Sequence, residues 1–167
     1  MRKSPSSSAF HTPTPEAISQ LKELISDATY ASLATLSPDE GYPICSRAGM
    51  STLGDGTPII YVSGLAAHTQ ALLADPRCSL LVGETGKGDP LTHARATLVC
   101  VAAPLSSQGD IYAEARARYL GNHPKAKLYA DFADFMYFTL RPIRAHYVAG
   151  FGRAYVIDGD TVLGAAV

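Results

Sequence analysis

The sequence predicts a mainly β domain, a small antiparallel barrel with helical insertions. The prediction rests on about six strand-like segments joined by hairpin-type turns, and on short helical patterns between them. The chain has 167 residues, of which 47% are hydrophobic and 17% charged, a composition ordinary for one globular domain. We interpret residues 14–167 as a single domain. We expect residues 1–13, which are rich in Ser and Pro, to form a disordered leader.

The first half of the chain is predicted to be a helix followed by a meander of strands. Thr14 can cap a helix that begins at Pro15, because its hydroxyl can accept from an unpaired amide and proline suits the first helical position. The apolar face of this helix is expected to consist of Ile18, Leu21, Leu24 and Ile25. Turn residues then separate the predicted strands Tyr30–Leu36, Tyr42–Met50 and Pro58–Ser63.

The second half alternates helices and strands. A helix is predicted over Ala66–Ala74, because Asp75-Pro76 cannot continue it. A further helix covers Asp110–Leu120, with Gly121 as its C-terminal cap. Another helix is expected to begin at Pro124 and to have an apolar side made of Leu128, Phe132 and Phe135. The remaining predicted strands are Cys78–Gly83, Leu91–Ala103 and a pair within Met136–Ile157 that breaks at Arg141-Pro142.

Charge, hydropathy and cysteine spacing exclude several classes of function. The net charge is -1 without a basic tract, so we expect no nucleic-acid partner. No run of ~20 apolar residues is present, so we expect no membrane span. The cysteines form no CxxC pair and each lies in an apolar run, which predicts buried thiols in a reducing cytoplasm for Cys45, Cys78 and Cys100. No metal site is predicted, because metal-ligand spacing is absent among His11, His68, His93, His123 and His146.

One strand-to-helix junction has the chemistry of an anion site. A predicted strand ends at Ser63 and a helix opens three residues later, where backbone amides are unpaired and the helix dipole favours an anion. Ser63, His68 and Thr69 add hydroxyl and imidazole donors there. The alternative is that Ser63 only caps the helix and His68 faces water, and the residues themselves leave both interpretations open.

The same junction begins an ordered series of motifs that resembles a known superfamily. The series covers roughly residues 15–158, although no single motif is decisive. Its parts are Ser63-x-Leu-Ala-x-His-Thr69, Asp75-Pro76-Arg77, Gly88–Leu91, Ala94–Leu98, Ala115–Leu120 with His123-Pro124, Tyr129–Phe135 and Gly150–Ala154. Together they resemble the FMN-binding split-barrel superfamily related to pyridoxamine 5'-phosphate oxidase, and most closely its haem-utilisation (HugZ-type) branch.

The resemblance implies a six-stranded antiparallel split barrel that forms a homodimer with two FMN molecules between the subunits. Ser63, His68 and Thr69 would contact the flavin phosphate, and Ser46 and Arg47 would approach from a neighbouring strand. A guanidinium suits this role because it pairs with phosphate through two hydrogen bonds. The alternative for Arg47 is an ordinary solvent-facing side chain.

Three further residues are implied at the flavin. Arg95 stands where oxidases of the superfamily have a glutamine that contacts the flavin. Tyr147 and Arg153 match positions that reach the flavin from the partner subunit, although a structural hydrogen bond is the alternative for Arg153.

The sequence also departs from the pyridoxamine oxidases. It has no Trp, whereas their closing signature contains one, and the residues that grip pyridoxamine phosphate are not matched around Ala115–Gly121. Haem-degrading members usually continue into a C-terminal domain whose histidine can ligate iron. Because this sequence ends at Val167, His146 and His123 are the alternatives.

Three functions are therefore weighed. The first is an FMN-dependent oxidoreductase that acts on a small molecule, in which the flavin supplies the redox chemistry and no catalytic side chain is assigned. The second is a haem-binding or haem-degrading protein. The third is a barrel that has lost cofactor binding and serves only as an interaction module.

Overall fold

A computed structural model describes residues 10–164, so residues 1–9 of the predicted leader and residues 165–167 lie outside the described part. The described chain alternates strands with short helices. In chain order the elements are α1 Pro15–Asp27, β1 Tyr30–Leu36, β2 Pro43–Thr52, β3 Pro58–Ser63, α2 Ala67–Ala74, β4 Arg77–Val82, β5 Arg95–Pro104, α3 Asp110–Asn122, β6 Phe135–Val148, β7 Ala154–Asp158 and α4 Gly159–Val162. Two 3-10 turns, Pro90–Thr92 and Pro124–Leu128, complete them.

The strands form an antiparallel barrel. Their order is β3-β2-β1-β4-β5-β6-β7, and an additional pairing between β3 and β6 closes the first six into a ring. The closing pairs run from Ile59 opposite Thr139 to Ser63 opposite Phe135. The seventh strand, β7, lies outside the ring on β6. The predicted six-stranded antiparallel split barrel is thus confirmed.

Two apolar clusters stabilise the barrel. Inward side chains of alternating strand residues fill its interior, among them Leu33, Leu80, Leu98 and Leu140. A second cluster lies between β3, β6 and α3 and is rich in tyrosine, with the rings of Tyr61 and Tyr137 stacked at 4.2 Å. Because β3 faces one cluster on each side, all its residues except Ser63 are buried.

The N-terminal helix forms at the predicted residues. The Thr14 hydroxyl accepts a hydrogen bond from the Ala17 amide at 3.1 Å, which confirms the predicted cap. Residues 10–13, the end of the predicted leader, run beside β7. There the His11 amide donates to the Ala154 carbonyl at 2.8 Å, and His11 forms an isolated parallel bridge with Tyr155.

The predicted strand Leu91–Ala103 begins too early. Pro90–Thr92 forms a 3-10 turn, and the strand runs from Arg95 to Pro104. The Asp89 carboxylate accepts from the Leu91 amide at 2.9 Å, and Pro90 fixes the first dihedral of the turn. Local side-chain capping therefore competes successfully with the strand pattern.

The helical predictions after α2 need two corrections. Gly121 is not a cap, because α3 continues through it to Asn122 and its φ is not positive. The predicted helix at Pro124 is a five-residue 3-10 turn. Leu128 and Phe132, which were expected on an apolar face, are 81% and 57% exposed.

The predicted break at Arg141-Pro142 is wrong, because β6 is continuous there. Pro142 is accommodated by a register shift between Val99 and Cys100 of β5, which leaves Ile143 as the extra residue of a bulge. The two predicted strands do exist, but they separate at residues 149–153. Gly159 of α4 packs directly against the Pro142 carbonyl oxygen, and a Cβ at this position would overlap that atom.

Two of the three cysteines match the prediction. Cys78 and Cys100 are buried opposite each other on β4 and β5, and burial raises the pKa of the Cys78 thiol to about 12. Cys45, predicted to be buried, is exposed. It lies in the first half of β2, which pairs with β1 alone because β3 reaches only from Met50 onward.

Among residues 10–164, no helix combines the length and the apolar character needed to cross a membrane.

Candidate cofactor site

The junction between β3 and α2 is held together by its own side chains. The Thr69 hydroxyl donates to the Ser63 carbonyl at 2.6 Å, and the Leu65 amide donates to the Ser63 hydroxyl oxygen at 3.1 Å. The Ser63 hydroxyl in turn donates to the Asp134 carboxylate at 2.7 Å. The predicted phosphate-binding hydroxyls therefore already have partners within the chain.

Asp134 is the residue at this junction that sequence reasoning missed. It accepts from Ser63 through its side chain and from the Gly64 amide through its carbonyl, the latter at 2.5 Å. The contact joins residues far apart in sequence and depends on the pairing of β3 with β6. The only sequence signal was its place in the Tyr129–Phe135 motif. A carboxylate here opposes the binding of a second anion.

Ser46 and His68, two of the residues predicted at the flavin phosphate, are in contact. The Ser46 Oγ lies 3.1 Å from His68 Nδ1, which connects β2 to the first turn of α2. Partial burial lowers the pKa of the His68 ring, so the neutral imidazole is favoured. Within the described residues the other ring nitrogen, Nε2, has no hydrogen-bond partner.

Ser46 and Arg47 face opposite sides of β2. Ser46 pairs with the inward Leu33, whereas Arg47 pairs with Ser32 on the outer face, since successive strand residues alternate. The Arg47 guanidinium lies over the Tyr30 ring, 5.4 Å from its centroid, in a cation–π contact. One chain therefore directs these two predicted phosphate ligands away from each other.

Arg95 and Arg153 organise the opposite end of β6. The Arg95 guanidinium donates to the carbonyl oxygens of Leu91 at 3.0 Å and His93 at 3.2 Å. The Arg153 guanidinium donates to the Ala149 carbonyl at 3.2 Å, across the β6–β7 turn. Each guanidinium keeps further N–H groups available, because arginine has five donors.

Tyr147 lies inside the barrel. Its ring is buried and its hydroxyl donates to the side-chain oxygen of Gln20 in α1 at 3.4 Å. Burial raises the pKa of this phenol. The side chain faces the core of its own subunit, where it stacks with Tyr155 at 6.1 Å.

Two of the predicted residues, Ser63 and Arg95, lie opposite the two ends of β6. Phe135, at one end, pairs with Ser63, and Val148, at the other end, pairs with Arg95. The strand has 14 residues and spans roughly 45 Å of extended chain.

Three of the five histidines have the Nε2 nitrogen engaged by a backbone carbonyl. The distances are 3.1 Å from His11 to Gly152, 3.1 Å from His93 to Lys87 and 2.8 Å from His123 to Met50. His123 also stacks on Tyr119 at 4.3 Å. His146 packs edge-on against the Phe10 ring at 5.9 Å. In the described part of the chain, no three His, Cys, Asp or Glu side chains cluster as metal ligands.

The outer face of β1, β4 and β5 carries small and apolar side chains, and the C-terminal end of α1 borders it, since Leu24 and Asp27 line a pocket with Ser32 and Leu81. Ser32 and Ala34 of β1 stand there opposite Leu81 and Ser79 of β4. An apolar groove of about 310 Å³ opens at one end of this face, lined by Ala34, Leu36, Ser79, Val99 and Ile143 among others. Small and apolar side chains on an open sheet face suit packing against another surface.

A closed six-stranded barrel with a short helix after its third strand is the split barrel of pyridoxamine-phosphate oxidases. The chain belongs to the pyridoxamine 5'-phosphate oxidase family, whose profile matches residues 18–149. Within that family it is close to the HugZ-type haem-utilisation proteins, as the motif series predicts.

Individual relatives and structures agree with this assignment. The chain is 36% identical over 146 residues to the chloroplastic haem oxygenase HOZ of Arabidopsis thaliana, covering 86% of this chain and 43% of that protein. It is 26% identical over 148 residues to the haem oxygenase HutZ of Vibrio cholerae, covering 86% of this chain and 82% of that protein. The structure of a haem-binding protein from Mycobacterium smegmatis superposes with a TM-score of 0.81 at 34% identity, over 90% of this chain and 61% of that chain. The chain therefore spans less than half the length of the Arabidopsis relative.

We predict that the His68 ring titrates below the ordinary histidine pKa of about 6.5. Because the folded state disfavours the charged ring, this stabilising contribution is present above about pH 6.5 and is lost as the pH falls through the lower folded pKa. NMR titration of the ring gives the pKa directly. His68→Gln should flatten the decrease in unfolding free energy between about pH 7 and 5. A ring that titrates above 6.5 would contradict the prediction.

Proposed function

We propose that this protein binds haem and takes part in its oxidative degradation. The observation that carries the proposal is the similarity to the Arabidopsis haem oxygenase across 86% of this chain. The local chemistry of the junction supports it, because Asp134 places a negative charge beside the hydroxyl predicted to hold a flavin phosphate. A neutral imidazole with a free nitrogen lies nearby at His68.

The chain carries side chains of the kinds that contact haem, although they lie on separate faces of one subunit. Haem has a large apolar face, an iron that accepts imidazole ligands and two carboxylate side chains. The chain offers the apolar groove beside β1 and β5, the His68 ring, and exposed guanidinium groups such as Arg47. When bound, haem would supply the iron that activates oxygen. The protein would hold the macrocycle, orient it and limit access of water.

We predict saturable hemin binding with a shifted Soret band. In the presence of ascorbate as reductant, oxygen and catalase, the band should decay as an open-chain tetrapyrrole forms, which is the product expected if the protein degrades the haem that it binds. Absorption spectra and product chromatography follow both steps. Hemin in the same mixture without protein is the control. An unchanged hemin spectrum at micromolar protein would refute haem binding, whereas a Soret band that persists would limit the function to binding.

FMN is the second candidate ligand. It is favoured by backbone amides at the junction that have no hydrogen-bond acceptor. Within the described residues the backbone amides of Ala67 and His68 have no acceptor, and they point from the start of α2, where an anion is stabilised by the helix dipole. An FMN-dependent oxidoreductase acting on a small molecule is consistent with this arrangement. The Asp134 carboxylate weighs against it.

Asp134→Asn separates these candidates. The amide keeps an acceptor for Ser63 but removes the like charge, so FMN affinity should rise about 5- to 10-fold if the phosphate lies at this junction. Quenching of flavin fluorescence measures the affinity. Asp131→Asn is the matched control, because Asp131 pairs with Arg116 on the surface at 2.9 Å. Equal FMN affinity in both variants would place the phosphate elsewhere.

We also propose a homodimer whose cofactor sites lie between the subunits. Two observations support it. Ser63 and Arg95 lie opposite the two ends of β6, so a two-fold partner could bring a second copy of one residue to the other, and the outer face of β1, β4 and β5 has an apolar groove at one end. Free thiols at all three cysteines are consistent with a reducing compartment, and we propose the cytoplasm.

Leu81→Glu tests the dimer. Leu81 is half-exposed at the centre of the outer face. A carboxylate at this position would be buried without a partner in an apolar interface, so the monomer–dimer equilibrium should shift towards the monomer. Sedimentation velocity at micromolar concentration measures the state. Leu128→Glu, in the turn next to α3, is the control and should leave the dimer intact. A wild-type monomer would contradict the proposal.

A further inference from the structure

We infer that Cys78 and Cys100 form a site for a cuprous ion, and that the Thr35 hydroxyl supports one of the two thiolates. The site lies beside the apolar groove between β1 and β4, and it does not depend on the haem binding proposed above. Its basis is a row of three buried side chains on three neighbouring strands.

The groove opens where two strands of the barrel separate. The pairing of β1 with β4 ends at Ala34 opposite Ser79. The next residues beyond this pair are Thr35 in β1 and Cys78 in β4, and both are buried. Cys100 of β5 lies directly opposite Cys78. All three residues line the groove of about 310 Å³, so a small ion can reach them from its open side.

The Thr35 hydroxyl is a buried polar group without a partner. Thr35 is 2% exposed, and its Oγ1 has no hydrogen-bond partner within residues 10–164. Such a group destabilises the fold unless an ion, a water or a ligand satisfies it. The protonated Cys78 thiol on the neighbouring strand is only a weak acceptor. A Cys78 thiolate is a charged acceptor, to which the hydroxyl would donate a stronger hydrogen bond.

The spacing of the two cysteines suits a bridging ion better than a disulfide. One register position before them, the Ala102 amide donates to the Pro76 carbonyl at 2.8 Å, and hydrogen-bonded pairs alternate along an antiparallel ladder, so Cys78 and Cys100 also form a hydrogen-bonded pair. The Cβ atoms of such a pair are about 5.5 Å apart, whereas a disulfide needs about 3.5–4.5 Å. Two metal–thiolate bonds of about 2.3 Å in line span about 4.6 Å, which this separation accommodates.

The set of ligands selects the ion. Within the described residues, no third His, Cys, Asp or Glu joins the two cysteines. Zinc takes four ligands in a structural site, whereas Cu(I) is soft, prefers thiolates and is stable with two of them. On binding, each thiol releases its proton to solvent and forms one sulfur–copper bond, and the copper stays in the +1 state.

Burial keeps both thiols protonated when no ion is bound. It raises the pKa of the Cys78 thiol to about 12, and it also raises the pKa of Cys100. Because copper must displace these protons, the affinity for Cu(I) should increase with pH.

The test is a competition for Cu(I) against bicinchoninate, under argon with ascorbate, using the full chain. The wild-type protein should take up one Cu(I) per chain, and its melting temperature should rise because the ion binds the folded state. Cys78→Ala and Cys100→Ala should each lose both effects. Cys45→Ala, at the exposed third cysteine, is the matched control and should keep them. If Cys78→Ala fails to fold, Cys78→Val fills the space with an apolar side chain and gives the same comparison.

Thr35→Val tests the supporting hydroxyl. The variant keeps the shape of the side chain but removes the unpaired group, so the unfolding free energy of the copper-free protein should stay equal or increase. Its Cu(I) affinity should nevertheless fall about 10-fold, and Thr35→Ser should restore it. Equal affinity in Thr35→Val would refute the role of Thr35. A wild-type protein that does not compete for Cu(I), or tight binding that only Cys45→Ala abolishes, overturns the site.

Discussion

The pairing of β3 with β6 is the constraint on which the rest of the structure depends. It closes six strands into a ring, and it buries β3 between the barrel interior and the tyrosine-rich cluster under α3. The same pairing carries Asp134, which precedes β6, to the end of β3. As a result, one set of main-chain bonds determines both the barrel core and the chemistry beside the candidate site.

Charge decides between the ligands that this junction can hold. Where a strand is followed by a helix, the unpaired backbone amides at the start of the helix can bind a phosphate. Here the Ser63 hydroxyl accepts a hydrogen bond from the Leu65 amide and donates one to the Asp134 carboxylate. In this part of the described chain, the backbone amides of Ala67 and His68 remain without an acceptor. The Asp134 carboxylate disfavours an anion at the junction, but it does not disfavour the neutral His68 ring. The junction therefore offers a phosphate fewer open donors than the sequence pattern alone predicts.

Local patterns predicted the fold well. Helix α1 and strands β1 and β3 occur at the predicted residues, because capping and side-chain alternation are encoded within a few positions. The bulge at Ile143 and the exposure of Cys45 depend on which strand lies alongside, so no short window could reveal them. The candidate site divides in the same way. The sequence named Ser46 and His68 as site residues without predicting their mutual contact, and the contact of Ser63 with Asp134 depends on barrel closure.

The close contact of Gly159 with Pro142 limits which residues related sequences can have at position 159. The Pro142 carbonyl oxygen occupies the space that a side chain would need there, and that carbonyl projects from the bulge in β6. Any substitution would push α4 away from the strand. Related chains that keep the proline and its bulge are therefore expected to retain this glycine, whereas chains that have straightened the strand are free to vary it. A side chain at position 159 is therefore expected only where the bulge has been lost.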